Sequence, residues 1–377
     1  MLNYEFPPIG GGGGNAHLHI LTEYAAQKQL EVDVLTSAPK PGFTSEQFSD
    51  NIRIYKVGIH KKQLHYWRKV EVIEWLAKAA GRYRELLKTN HYDLVHAFFG
   101  FPSGWMCYRT AAKLPYIISL RGSDVPGYNV RLGLDYHLLA GLFRRIWSSA
   151  AAVVANSQGL KKLAQQFMPE LDIEVIPNGI DTEKFQPPQS KSPGKPIRAL
   201  AVGRLINRKR IDLLIEAIAR ARKAGLDVTL SIAGQGNLLA ELQAIAGKLN
   251  VTDRIIFMGR VPPEQMPQVY REHDIFLMSS AHEGMSNAML EAMASGLPIV
   301  TTRCEGVAEL ITDNGIVLDR PEPEKIASAI NQIDENRALY DSMSACSREQ
   351  AEKFNWLAVA DKYIDCYNNI LDRTSRS

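Results

Sequence analysis

The chain has 377 residues, 45% of them apolar and 23% charged, a composition that fits a folded globular protein and excludes disordered and collagen-like classes. That length exceeds the ~250–300 residues at which one core stops growing, so two domains are expected. No apolar run reaches the ~18–20 residues that span a bilayer. The start Met1-Leu-Asn-Tyr-Glu-Phe-Pro-Pro lacks a signal-peptide pattern, and Cys107, Cys304, Cys346 and Cys366 show neither metal nor disulfide spacing, which fits a reducing cytoplasm.

The net charge of +3 is unevenly spread. Residues 1–180 hold 20 Lys/Arg against 15 Asp/Glu, whereas 181–377 hold 24 against 26. Between Arg53 and Lys88 stand ten basic and three acidic residues, including the run His60-Lys-Lys-Gln-Leu-His65-Tyr-Trp-Arg-Lys69. Basic side chains interleaved with Tyr and Trp suit an anionic membrane surface or a phosphorylated acceptor; the alternative is a solvated face with two core aromatics. No nucleic-acid partner is expected.

In chain order, the first feature is the glycine run Pro8-Ile-Gly10-Gly-Gly-Gly-Gly14-Asn-Ala-His17. Glycines ahead of a helix let backbone approach a ligand closely. Only nine residues precede the run, which predicts either a very short first strand or a start codon placed too late. Short β-branched runs follow at Val32–Thr36, Leu94–Ala97, Tyr116–Leu120, Val153–Asn156 and Glu174–Ile176, separated by helices such as Val70–Leu87 and Leu134–Trp147. This alternation predicts a parallel sheet covered by helices, a first α/β domain over 1–180. Leu120-Arg121-Gly-Ser-Asp124 follows one strand, and places Arg121 and Asp124 at its carboxyl edge as ligand groups or as a mutual ion pair.

Residues 186–196 contain four prolines, one glycine and two serines and read as a linker. Alternation then restarts over 197–354, with strands at Arg198–Val202, Val228–Ala233, Ile255–Met258, Ile275–Met278, Pro298–Thr302 and Ile316–Leu318. The predicted fold is therefore α/β: two doubly wound, parallel-sheet Rossmann-like domains with a ligand cleft between their strand ends. Val202-Gly203-Arg204-Leu-Ile-Asn-Arg208-Lys209-Arg210 ends a strand and enters a helix predicted over Lys209–Lys223. Gly203 opens the turn, and Arg204 and Lys209 are cations able to hold a diphosphate as it departs. His282-Glu283-Gly284-Met285-Ser286-Asn287-Ala-Met-Leu-Glu291 then follows another strand. Ser286 is an N-cap, Gly296 a helix stop, and the helix N-terminus favours an anion. Glu291 lies one turn after Asn287 on the same face, so Glu283 and Glu291 are expected to reach one ligand and accept paired hydroxyls. The chain has no Asp-x-Asp pair, so cations and a helix terminus, not a metal, are expected to carry the diphosphate.

Together these residues resemble the retaining glycosyltransferases of the two-Rossmann (GT-B) fold, family 4, the "group 1" transferases, over nearly the whole chain. The resemblance rests on the glycine loop after Pro7-Pro8, Leu120–Asp124, Val175-Ile-Pro-Asn-Gly-Ile-Asp181, Gly203-Arg204 with Lys209, Gly234-x-Gly236, Glu283-x7-Glu291 and Phe354-Asn-Trp356. It implies transfer of a sugar from a UDP- or GDP-sugar to a saccharide or lipid-linked acceptor, with retention, without metal or other cofactor, in cell-surface polysaccharide or glycolipid synthesis. Arg204 and Lys209 would bind the diphosphate, and Glu283 with the Gly284–Asn287 backbone would face the sugar. Glu291 would hold the ribose, and Gly12–Gly13 would close over the donor. A last helix, 355–372, would cross back onto the first domain. A cytoplasmic protein, peripheral on the inner membrane face, is implied. Three departures stand out: Arg121 occupies a position where many members have His, Arg210 replaces a frequent glycine, and the first strand is curtailed. The alternatives are a sugar-nucleotide epimerase, a phosphorylase or a non-catalytic sugar-nucleotide sensor.

Overall fold

The computed structural model describes residues 1–9, 11–64, 66–129, 133–188 and 194–375. Gly10 of the glycine run, His65 of the basic run and 189–193 of the expected linker lie outside the described residues. The chain divides into two compact units, Met1–Asn178 with Trp356–Ser377, and Gly179–Asn355.

The first unit carries eight strands: β1 (Leu2–Asn3), β2 (Val32–Ala38), β3 (Gly42–Ser49), β4 (Ile52–Gly58), β5 (Val95–Phe98), β6 (Tyr116–Leu120), β7 (Ala152–Ala155) and β8 (Glu174–Val175). Their order is β3-β4-β2-β1-β5-β6-β7-β8, all parallel except β3 against β4. Every residue of β5 and β6 is buried, as expected of a parallel sheet covered on both faces. The first strand, Leu2–Asn3, is two residues long. Leu2 and Asn3 nevertheless sit mid-sheet, in register with Leu35 and Thr36 of β2, and Leu2 also with Ala97 of β5. The hairpin β3–β4 was not anticipated. Gly-Phe-Thr-Ser-Glu-Gln-Phe-Ser has no apolar face, and six of its eight residues are exposed on the sheet edge.

The glycine run does not simply precede a helix: the helix Gly12–Tyr24 begins inside it, with Gly11 as N-cap. Close approach explains the composition. A Cβ on Gly14 would lie 2.7 Å from the Glu5 carbonyl oxygen, and one on Gly13 2.8 Å from Phe99 Cζ. The helix Trp356–Ser375 packs on this unit, with Trp356 stacked on His19 and the Tyr24 hydroxyl bonded to Tyr367.

In the basic segment, much of the charge is already paired. Lys61 and Glu71 form a buried ion pair at 2.8 Å, with the Lys61 ammonium over the Trp67 ring. Burial works to raise the Glu71 pKa. The Arg68 and Lys62 amides and the Lys61 and Arg68 side chains outweigh it and hold it down at about 2. Glu74 takes Lys78 and His60, and Glu85 takes Arg82. Val70 and Ile73 remain exposed beside them.

The second unit holds β9 (Ile197–Val202), β10 (Val228–Ala233), β11 (Ile255–Gly259), β12 (Ile275–Met278), β13 (Ile299–Thr302) and β14 (Gly315–Leu318). All pairings are parallel, in the order β11-β10-β9-β12-β13-β14. Counted within the unit this is the doubly wound order 3-2-1-4-5-6, whose direction reverses between β9 and β12. Ligands in such sheets bind outside the strand carboxyl ends at that reversal.

Candidate active site

Both strong sequence signals of the second unit fall at this reversal. Val202 ends β9 and leads into Gly203-Arg204; Met278 ends β12 and leads into the loop that carries Glu283. The strands are hydrogen-bonded neighbours, so the two loops emerge side by side. They are tied together: the Ala281 amide donates to the Arg208 carbonyl, and the Ser279 hydroxyl reaches the carbonyls of Lys209 and Arg210.

The first loop departs from expectation. No helix starts at Lys209. Asn207–Lys209 form a 3₁₀ turn, Arg210 adopts a left-handed conformation at φ 48°, and the α-helix runs Ile211–Lys223. The left-handed residue accounts for the glycine expected at position 210. A non-glycine residue in that region costs roughly 1 kcal/mol, while the half-exposed Arg210–Asp212 pair returns about 0–1 kcal/mol. Arg210→Gly is therefore expected to raise stability by up to about 1 kcal/mol and Arg210→Val to lower it. Thermal unfolding checks both; a clear loss on Arg210→Gly would mean the ion pair dominates.

Gly203 has φ +152°, and a Cβ there would press on the Lys209 side chain at 3.2 Å. The glycine thus leaves room for Lys209 to lie across the strand end. Lys209 Nζ meets Glu283 Oε2 at 2.5 Å, and Arg208 Nη1 meets the same oxygen at 3.4 Å. Arg208 also donates to the His282 carbonyl. Burial alone would raise the Glu283 pKa; Lys209, Arg208 and Arg204 outweigh it and hold the carboxyl below its ordinary range. Glu283 is therefore an anion at neutral pH and accepts hydrogen bonds; it does not supply a proton. Arg204 acts on it electrostatically and is itself exposed.

Sequence reasoning missed Arg208, and also Glu305. The Glu305 carboxylate accepts from the Glu283 amide at 2.8 Å and meets His282 Nδ1 at 2.7 Å. Gly306 then lets the next loop lie against this one, since a Cβ there would fall 1.8 Å from the Gly284 carbonyl oxygen. Gly284, Met285 and Ser286 are buried, and the Ser286 hydroxyl caps the helix Asn287–Ala294 by accepting from the Met289 amide. The positive end of that helix points out of the same strand edge.

Glu291 is on this helix, but its environment differs from that of Glu283. The Tyr270 hydroxyl donates to Glu291 Oε2 at 2.8 Å. Burial raises its pKa to about 7 against the opposing effects of Tyr270 and Lys184. These two acids of the second unit thus carry different charge at neutral pH, one fixed as an anion and one close to its midpoint. Tyr270 was not predicted; it lies in the short helix Met266–Arg271, 21 residues before its partner.

In the first unit, Arg121 and Asp124 do not form a side-chain pair. Asp124 Oδ2 accepts from the Gly100 amide at 2.7 Å, and Oδ1 from the Arg121 and Gly122 amides at 2.9 and 3.0 Å. Asp124 is buried, and through these amides it shapes the loop after β6. The Arg121 side chain turns instead to Asn178 and Tyr363. At the glycine run, a Cβ on Gly11 would collide with the Glu5 carboxylate at 2.0 Å, so an anion approaching Gly11 meets an acid there.

Comparison with known proteins matches 182–350 to the family described as "Glycosyl transferases group 1" and 11–184 to "Glycosyltransferase Family 4". A subunit of the phosphatidylinositol N-acetylglucosaminyltransferase of Arabidopsis thaliana is 30% identical over 389 residues, covering 100% of this chain and 83% of that protein. The chain is a member of glycosyltransferase family 4. A second relative of this glycosyltransferase is the GDP-mannose-dependent alpha-(1-6)-phosphatidylinositol monomannoside mannosyltransferase of Mycolicibacterium smegmatis. It is 30% identical over 235 residues, covering 56% of this chain and 61% of that protein. Among solved structures, Anabaena Alr3699/HepE in complex with UDP and glucose superposes with a TM-score of 0.74 at 19% identity, covering 97% and 98% of the two chains. The two sheets described above are the Rossmann-like pair of a GT-B glycosyltransferase. Among the described residues, no helix is long and apolar enough to cross a membrane.

Proposed function

We propose that this glycosyltransferase moves a sugar from a UDP- or GDP-sugar to a saccharide or lipid-linked acceptor, with retention of anomeric configuration and without a metal. One observation carries the reading: Lys209, Arg208, Arg204, Glu283 and the N-terminus of the helix Asn287–Ala294 converge on the carboxyl ends of β9 and β12. Cations and a helix terminus hold a diphosphate and stabilise the charge that grows on it as the glycosidic bond breaks. Glu283 is held as an anion by the same cations, so it is suited to hydroxyl recognition and to the positive charge developing on the sugar. Pinned on Lys209, it is poorly placed to act as a covalent nucleophile, which favours front-face attack of the acceptor beside the departing diphosphate.

In this reading Glu291 takes the ribose hydroxyls, and the Gly284–Asn287 backbone borders the sugar. Gly12, Gly13 and Arg121 provide substrate contacts on the first unit. Both relatives carry phosphatidylinositol in their names, which supports a glycolipid acceptor for this chain as well. Exposed Tyr66, Val70 and Ile73 beside Lys62, Arg68 and Lys69 support a peripheral contact with an anionic, cytoplasmic membrane face.

The test is incubation of the purified chain with UDP- and GDP-sugars, with and without lipid acceptors. Acceptor-dependent release of UDP or GDP is expected. Sugar interconversion without release would identify an epimerase, and binding without turnover a sensor.

A further inference from the structure

Arg121 follows β6 and lies at the carboxyl edge of the first sheet. Its side chain is held from three sides, always by neutral groups. Nη1 donates to Asn178 Oδ1 at 2.8 Å, and Nη2 to the Tyr363 hydroxyl at 3.2 Å. The guanidinium lies over the Phe98 ring, 4.9 Å from its centroid. Nε is buried and has no hydrogen-bond partner. No carboxylate among the described residues forms an ion pair with it, and the adjacent Asp124 is engaged by backbone amides. The histidines next to it, His17 and His96, are kept neutral by burial first and by Arg121 among their other neighbours.

A guanidinium has five N–H donors in a fixed fork that matches carboxylate and phosphate. Here only two of them have protein partners, both uncharged. A half-buried cation is costly without an anion beside it. A purely structural brace between Asn178 and Tyr363 needs no charge, and Tyr363 is independently anchored by the Ser119 hydroxyl at 3.1 Å. The charge therefore calls for a ligand. A Cβ on Gly13 would meet Phe99 Cζ at 2.8 Å and Arg121 Cγ at 3.5 Å, so this glycine lets the helix start lie against the Phe99 ring and the aliphatic stem of Arg121.

We propose that Arg121 receives a carboxylate or phosphate carried by the substrate, so that this transferase acts on an anionic sugar: a uronic acid delivered by the donor, or a phosphorylated acceptor. The inference rests on the transferase reading above and adds a substrate class to it. A neutral polar side chain would serve a neutral sugar equally well at this position; a guanidinium shifts selection toward a negatively charged partner.

The full chain is tested in two arms by titration calorimetry. The donor arm compares UDP-glucuronate with UDP-glucose and GDP-mannuronate with GDP-mannose. The acceptor arm, with UDP or GDP present, compares glucose 6-phosphate with glucose and inositol 3-phosphate with inositol. The charged member is expected to bind about tenfold tighter or more in one arm, which tells the two sources apart. Arg121→Gln is expected to abolish that preference and Arg121→Lys to keep part of it. Arg121→His, which keeps a polar ring that is largely uncharged at pH 8, serves as the folded control, checked by its melting temperature, and is expected to favour the neutral member. Equal binding of charged and neutral members in both arms, or a preference that survives Arg121→Gln, overturns this inference alone. Failure to bind any nucleotide sugar overturns the donor assignment and this inference with it.

Discussion

Glu291→Gln is expected to stabilise the protein at pH 8 far more than at pH 5, while weakening the donor at pH 8 and changing it little at pH 5. The cause is burial. The Glu291 carboxyl has its pKa raised from 4.5 to about 7, because burial disfavours the charged form more than Tyr270 and Lys184 support it. The unfolded chain loses this proton near 4.5, and the folded chain holds it until about 7. Stability from this group is thus complete below the unfolded value and is lost as pH rises through the folded one. Every tenfold change in proton affinity is worth about 1.4 kcal/mol, so ionisation in the folded state costs on the order of 3 kcal/mol by pH 8. Glutamine has no such cost and can still accept from Tyr270. The stability gap between variant and parent should widen by about 2 kcal/mol between pH 5 and pH 8, read from urea or thermal unfolding. A gap independent of pH would show that Glu291 titrates as an ordinary surface acid.

The same residue ties stability to binding. A carboxylate accepts from two hydroxyls of a diol, whereas the protonated acid or an amide does so less well. Donor affinity in the parent is accordingly expected to fall as pH drops below about 7, and to be weak and flat in Glu291→Gln. The price in folding free energy is what such a site implies: an acid placed for its ligand in surroundings that suit it poorly without one.

Much of this was legible in the chain. Continuous β-branched runs such as Tyr116–Leu120 and Ile275–Met278 can only be buried parallel strands once helices alternate with them. Ser286 and Gly296 mark their helix because capping chemistry is local: the serine hydroxyl takes the Met289 amide, and the glycine sits at φ +69°. Contacts that cross the sheet carry no local signal. Tyr270 reaches Glu291 because their two helices pack together, and Glu305 reaches His282 and the Glu283 amide because the neighbouring strands β12 and β13 bring their loops together. Likewise β1, two residues long, is too short to show a period of two; its mid-sheet place comes from pairing with β2 and β5. The polar edge strand β3 offers no apolar alternation to read. Arg210 shows the reverse case, a departure visible in sequence whose meaning is a left-handed backbone.

Lys209→Met should weaken UDP or GDP binding by roughly 10- to 150-fold, the effect of removing about 1.5–3 kcal/mol of charged hydrogen bonding. Two roles for this ammonium must be separated. It pairs with Glu283 at 2.5 Å, both side chains being largely buried, so it could act only by holding that acid as an anion. In that case Lys209→Met and Glu283→Gln would have similar consequences, and the double variant would be no worse than either. If Lys209 grips the diphosphate, free UDP or GDP, which has no sugar, loses affinity in Lys209→Met and keeps it in Glu283→Gln. The second pattern is expected, because Arg208 and Arg204 also bear on Glu283 and keep it ionised when Lys209 is gone. Calorimetric titration of the bare nucleotide into the three variants decides between them. Undiminished nucleotide affinity in Lys209→Met would remove the leaving-group clamp from the proposed mechanism.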